Sequence, residues 1–432
     1  MADKNGKHGN ASSILPDRAT RGIGLEELVH VFWVSGMSCD GCSIAFAGAS
    51  NPSMEQLQWG TVPGVPKMVL HHPMFSEDAG DAFIEPYRQA AAGTLGAPYI
   101  VVLEGSVPDD ESFPTADGFF SSMGAGGFGP TPGGDQPNRV TEWLYRLAPG
   151  AIASMAIGTC ATWGGIPAAA GNITGSMSLM DYLGKDYRST AGVPVINVPG
   201  CAPVGDNFSE TVITLLLWLR GVGYPPVFDE LGRPAWMFDQ TVHRHCPKAG
   251  YYEEGVFAEE PGDNQCLVEI GCWGPVVQCN IVERGAQNHM GGCMAAGGAC
   301  IGCTMPGFPD KYAPFYKAPP GSAISGGISK VYGGAIRRLR RMSMKTGNRE
   351  PMWDNADEIP SPWAAAKGPR TNTDKFAAYF YKKLQYNGST HHGNRYKKQP
   401  LPKSRDILTQ KGVDHSQSVD VLREKVRSRE EI

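Results

Sequence analysis

The sequence predicts an α/β fold, in which a parallel sheet covered on both faces is followed by an irregular metal-held region and a basic extension. Three observations carry that expectation. Short apolar segments ending in glycine alternate with helix-capable stretches. The periodicity then gives way to a glycine-rich, cysteine-dense segment with too little apolar patterning to fold on packing alone. Finally, the eleven cysteines end at Cys303, and the last 129 residues contain none.

In chain order, residues 1–25 form a polar tail with no apolar core of signal-peptide length. Residues 26–225 read as the sheet domain. "LVHVFWVSG", "PYIVVLEG", "AIASMAIG" and "VPVINVPG" are buried strands, and "DAFIEPYRQAAAG" and "TEWLYRL" are helices between them. "SETVITLLLWLRG" closes the domain as a helix ending at Gly221, its apolar run broken by Arg220 far short of the roughly 20 residues that span a bilayer. Residues 226–320 are the cysteine-dense region. Residues 321–432 are basic and aromatic, as in "AIRRLRRMSMK" and "DKFAAYFYKKLQY".

A hydrophobic content of 41% with 9% aromatic residues suits a globular protein, and a net charge of -4 over 432 residues gives no pull toward nucleic acid. With no export motif, a cytoplasmic location or a peripheral membrane association is expected. In a reducing compartment, cysteines serve metal ligation more often than disulfides.

Cys39, Cys42, Cys160 and Cys201 each lie just past the carboxyl end of a predicted strand, where an open parallel sheet gathers its ligand-binding loops. Four thiols converging there suit a cubane cluster. The Cys39–Cys42 pair alone would leave a redox dithiol and half of a zinc site open. A second set is His243, Cys246, Cys266 and Cys272, which zinc would accept equally well. His245 ranks below His243 because, immediately before Cys246, it sits too near to reach around a shared metal. The remaining histidines, including His71, His72, His391 and His392, read as ordinary surface residues. A third set is Cys279, Cys293, Cys300 and Cys303. Together the three sets use all eleven cysteines and one histidine, which suits an electron relay better than structural zinc.

"SCDGCS", "GTCATWGGI", "NVPGCAP", "GRPAWMFDQTVHRHC", "CLVEIGCWGP" and "CIGCTMPGFPD" occur in the order and at the intervals of nickel-iron hydrogenase small subunits, which residues 26–310 resemble. The resemblance implies a flavodoxin-like domain holding a proximal 4Fe-4S cluster on Cys39, Cys42, Cys160 and Cys201. It implies a distal 4Fe-4S cluster on His243, Cys246, Cys266 and Cys272. Cys293 stands where most members have proline, so the medial cluster on Cys279, Cys293, Cys300 and Cys303 is expected to be 4Fe-4S as well. Oxygen-tolerant membrane-bound members carry extra cysteines at the places of Gly41 and Gly165, so their cysteine-rich proximal cluster is not expected here. The absent export motif, "CDGC" and the long extension look most like the actinobacterial-type, high-affinity uptake hydrogenases.

By the same resemblance, hydrogen would be oxidised at a nickel-iron centre in a separate large subunit. This chain would then carry the electrons through three clusters to an acceptor docking near His243. The extension would join heterodimers into a dimer or higher assembly, or wrap over the large subunit. Two rival readings are an iron-sulfur subunit of a quinone oxidoreductase, which lacks the second and third ligand sets, and a zinc-stabilised binding protein. Asp40 is expected to tune the proximal cluster by charge, to replace Cys39 as ligand, or to form an Asx-type turn.

Overall fold

The computed structural model describes residues 27–115, 118–129, 131–184 and 186–316. The predicted polar tail and basic extension lie outside these residues. Seven strands and ten short helices alternate along the described chain, and five of the strands form one sheet.

The sheet strands are β1 (Leu28–Ser35), β2 (Lys67–His71), β3 (Tyr99–Glu104), β6 (Ala153–Ile157) and β7 (Ile196–Val198). They lie in the order β2-β1-β3-β6-β7, and every neighbouring pair is parallel. The order reverses between β1 and β3, which opens a crevice beyond their carboxyl ends. The intervening β4 (Ser122–Ala125) and β5 (Pro137–Arg139) form a small antiparallel pair of their own.

Both sheet faces are covered, and β1 shows why. Val29, Val31 and Trp33 point to one core with Phe46, Leu57, Phe208 and Leu215, while Phe32 and Val34 point to another with Ile84, Tyr87, Trp143 and Leu144. The first face is packed by α1 (Gly41–Ala47), α2 (Met54–Trp59) and the long helix α7 (Gly205–Leu219). The second is packed by α3 (Asp81–Ala92), α4 (Val140–Leu147) and α6 (Leu179–Leu183); α5 (Gly158–Trp163) follows β6 at the carboxyl edge.

The first turns of α7 are polar yet buried, because they bind other segments. Asp206 Oδ1 accepts from the Ser50 and Asn51 amides at 2.6 and 3.0 Å. Asn207 and Asn280 exchange side-chain amide bonds of 2.8 Å, and Glu210 accepts from Trp236 Nε1 at 2.8 Å and from Arg284. These bonds fix the cysteine-dense region against the sheet domain.

That region contains only short turns of helix: α8 (Ala235–Phe238), α9 (Ala249–Glu253), α10 (Ile281–Arg284) and two 3-10 turns, Val242–His245 and Leu267–Ile270. It nevertheless has an apolar core, in which Val242, Leu267, Trp273, Val277, Met305 and Tyr312 pack with Cys272 and Cys300. The cysteines are themselves part of this core.

Candidate metal centres

The first thiol group forms at the β1/β3 crevice. Cys39 ends the turn after β1, Cys42 lies in the first turn of α1, Cys160 lies in α5 after β6, and Cys201 follows β7. Glycines crowd the sulfurs: a Cβ on Gly158 would clash with Cys42 Sγ, and one on Gly165 would lie 2.7 Å from Cys160 Sγ. Gly41 borders Cys39 Sγ in the same way, at 3.4 Å.

Burial pushes the Cys42, Cys160 and Cys201 thiols up, Cys160 to about 11, and the neighbouring thiols of the set push the same way. Such thiolates repel one another and are poorly solvated. A cationic iron centre supplies the charge that would hold them ionised, so the donor set fits a cluster.

Beneath Cys42 lies Glu104, the buried last residue of β3. Its carboxylate accepts from the Cys42 amide at 3.0 Å, the Ser43 amide at 3.2 Å, Trp33 Nε1 at 2.9 Å and the Ser43 hydroxyl. Ser43 Oγ also lies 2.9 Å from Nε2 of His72, whose Nδ1 accepts from the Met74 amide at 3.0 Å. His72 is fully buried and His71 is stacked on Phe32, which corrects the expectation that both lie on the surface. Neither Glu104 nor the His72 contact was found from sequence; a carboxylate closing the apolar run "YIVVLE" was the available signal.

Asp40 precedes α1 with φ 59° and ψ 7°, a left-handed conformation that aspartate tolerates better than most residues. Its side chain makes no capping bond to α1, and its own amide donates to Ser38 Oγ at 3.1 Å. The turn reading is thus right for the backbone and wrong for the carboxylate.

His243, Cys246, Cys266 and Cys272 all line one pocket, walled by Val242, Leu267, Val268 and Met294. His243 is positioned by its amide bond to the Gly274 carbonyl, 3.0 Å, and by Tyr252, whose ring meets it edge-on at 4.6 Å. His245 does not line this cavity, and its Nε2 lies 3.9 Å from Glu283. Burial raises Cys266 to about 12 and raises Cys246 and Cys272, with backbone amides pulling each of them partly back.

In the third set, burial raises all four thiols, Cys279 to about 12. Cys279, Cys300 and Cys303 are near enough to oppose one another's ionisation, and Cys293 adds to the effect on Cys279 and Cys303. The sets are joined in series. The hydroxyl of Thr159, beside Cys160, donates to the Cys303 carbonyl and accepts from the Gly200 amide, and the Cys300 amide donates to Cys272 Sγ at 3.3 Å. Among the described residues, no three His, Cys, Asp or Glu side chains are gathered tightly enough for a single metal ion. A cubane, with one ligand at each iron, suits wider sets of this kind.

Two family profiles match. Residues 39–215 match the family described as NADH ubiquinone oxidoreductase, 20 Kd subunit, and residues 238–316 match the C-terminal family of NiFe/NiFeSe hydrogenase small subunits. The first spans the sheet domain common to both candidate families, and the second separates them. A periplasmic nickel-iron hydrogenase small subunit of Nitratidesulfovibrio vulgaris is 32% identical, covering 67% of this chain and 82% of the relative. The periplasmic NiFeSe hydrogenase small subunit of Desulfomicrobium baculatum is 28% identical, covering 69% and 94%. Among solved structures, the actinobacterial-type NiFe-hydrogenase from Ralstonia eutropha superposes with a TM-score of 0.70 at 45% identity, covering 80% of this chain and 96% of that one. The NiFeSe hydrogenase of Desulfomicrobium baculatum gives 0.58 at 30% identity, covering 67% and 98%. Cysteine sets, fold and comparisons agree, and the chain belongs to the small subunits of nickel-iron hydrogenases.

Proposed function

We propose that this chain carries electrons from hydrogen oxidation in its large subunit through three 4Fe-4S clusters to an acceptor. The single observation that supports this best is the serial linkage of the ligand sets through Thr159–Cys303 and Cys300–Cys272. When bound, the clusters supply one-electron redox centres.

The ligands in this reading are Cys39, Cys42, Cys160 and Cys201 for the proximal cluster, Cys279, Cys293, Cys300 and Cys303 for the medial, and His243, Cys246, Cys266 and Cys272 for the distal. Asp40 is an alternative to Cys39 on the proximal cluster. Cys39 and Cys201 are exposed, and Ile44 and Ile166 beside this set are 66% and 56% exposed, which favours this face as the seat of the large subunit. The neutral imidazole of His243 brings less negative charge than a thiolate and so draws electrons to the exit. The acceptor docks on that side. Several heterodimers assemble through residues 321–432.

Anaerobic purification of the native complex tests the proposal. Hydrogen-dependent dye reduction, a nickel-bearing partner and about twelve irons with equal sulfide in the small subunit are expected. Stoichiometric zinc without sulfide would overturn it. Truncation after residue 320 is expected to lower the mass of the assembly while leaving the iron content unchanged.

A further inference from the structure

Arg233 is a buried cation of the cysteine-dense region, 2% exposed and engaged on several sides. Its Nε donates to Asp229 Oδ2 at 2.7 Å, its Nη2 donates to Gln278 Oε1 at 2.6 Å, and its Nη1 lies 3.8 Å from Met305 Sδ. The guanidinium also sits over the Phe238 ring, 5.1 Å from its centroid. Gln278 immediately precedes Cys279, and Met305 lies two residues beyond Cys303. Thr304 Oγ1 ties these two segments by donating to the Gln278 carbonyl at 2.8 Å. The arginine is therefore bracketed by the segments that carry two of the third set's four cysteines.

We propose that Arg233 is a positioning residue of the relay that sets the redox potential of the medial centre by its fixed positive charge. This rests on the reading of Cys279, Cys293, Cys300 and Cys303 as medial ligands. A guanidinium is charged at every relevant pH, so its field is permanent. Reduction adds a negative charge to the centre, and a nearby cation in a medium of low polarity favours the reduced form, raising the potential.

Asp229 offsets this field only in part. The Asp229 side chain is 21% exposed, so water screens its charge more than that of Arg233, whose side chain is 2% exposed. The same direction shows at Cys279, where the arginine opposes the effect of burial on the thiol. The Asp229 loop does not depend on the guanidinium, because Asp229 Oδ1 accepts from the Leu231 and Arg233 backbone amides, each at 2.9 Å. Side-chain substitutions at 233 therefore change charge more than backbone course.

The test is a redox titration, followed by electron paramagnetic resonance, of the medial signal in the purified complex with its large subunit. Arg233→Gln is expected to lower the medial potential, Arg233→Lys to keep it near the wild-type value, and Asp229→Asn to raise it. The proximal and distal signals should move less. An intact medial signal with wild-type potential in Arg233→Gln overturns the inference. Should that variant fail to assemble, an unshifted potential in Asp229→Asn overturns it equally. If instead Cys279→Ser leaves the medial signal untouched, or only about eight irons are found, the ligand reading itself fails and takes the inference with it.

Discussion

Asp40 occupies a left-handed backbone position at the start of α1 and leaves its carboxylate without a capping partner beside an exposed thiol. Replacing it with asparagine keeps the backbone preference and removes the charge. Asp40→Asn should therefore raise the proximal potential, and a change in the proximal spectrum as well would identify the carboxylate as a ligand. His71 and His72 illustrate a different effect of the single residue. Burial lowers both from an ordinary 6.5 to about 4. The unfolded chain binds their protons first, so the stabilisation is complete above about 6.5 and is lost as pH falls toward 4. His72→Gln should flatten the fall in thermal stability of the complex across that window by about 1.4 kcal/mol per pH unit. The sequence showed that these histidines were adjacent, not that His71 ends β2 and His72 follows it into the core, because a five-residue strand, "KMVLH", between polar turns carries little periodicity.

Among the elements, α5 joins the first and third cysteine sets. Cys160 sits in its first turn, and its flanks grip the Cys303 segment. The Thr159 hydroxyl donates to the Cys303 carbonyl and accepts from the Gly200 amide at 3.0 Å, and Trp163 Nε1 donates to the Thr304 carbonyl at 3.2 Å. Thr159→Val leaves two buried backbone groups short of a partner and should cost about 2 kcal/mol, while Thr159→Ser should stay near wild type. Thermal midpoints of the two complexes check the energy, and weakened magnetic coupling between proximal and medial signals checks the geometry. The four strands that the sequence announced all formed, at 28–35, 99–104, 153–157 and 196–198, because each is a mostly apolar run largely buried on both faces. β2, at the sheet edge, and the β4/β5 pair were missed. Their residues are largely exposed or half-buried, so little hydrophobic signal marks them.

Across the whole molecule, cysteine spacing suggested three sets of thiols, whereas the groups that surround them were hidden. Glu104, Thr159 and Arg233 act on cysteines distant in sequence, Glu104 on Cys42 and Thr159 on Cys303. Their roles follow from three-dimensional packing, which a linear reading registers only as polar residues in apolar surroundings. The placement of the thiols also bears on biogenesis. The first set draws on residues from Cys39 to Cys201 and exists only once β1, β6 and β7 have joined one sheet, with β3 between the first two. The third set falls within a single short segment, Cys279 to Cys303. Closing the longer loops is slower and demands more entropy. Filling of the sets should thus follow loop length. The compact third set can capture iron and sulfide early, and the first set is filled only after the sheet has formed.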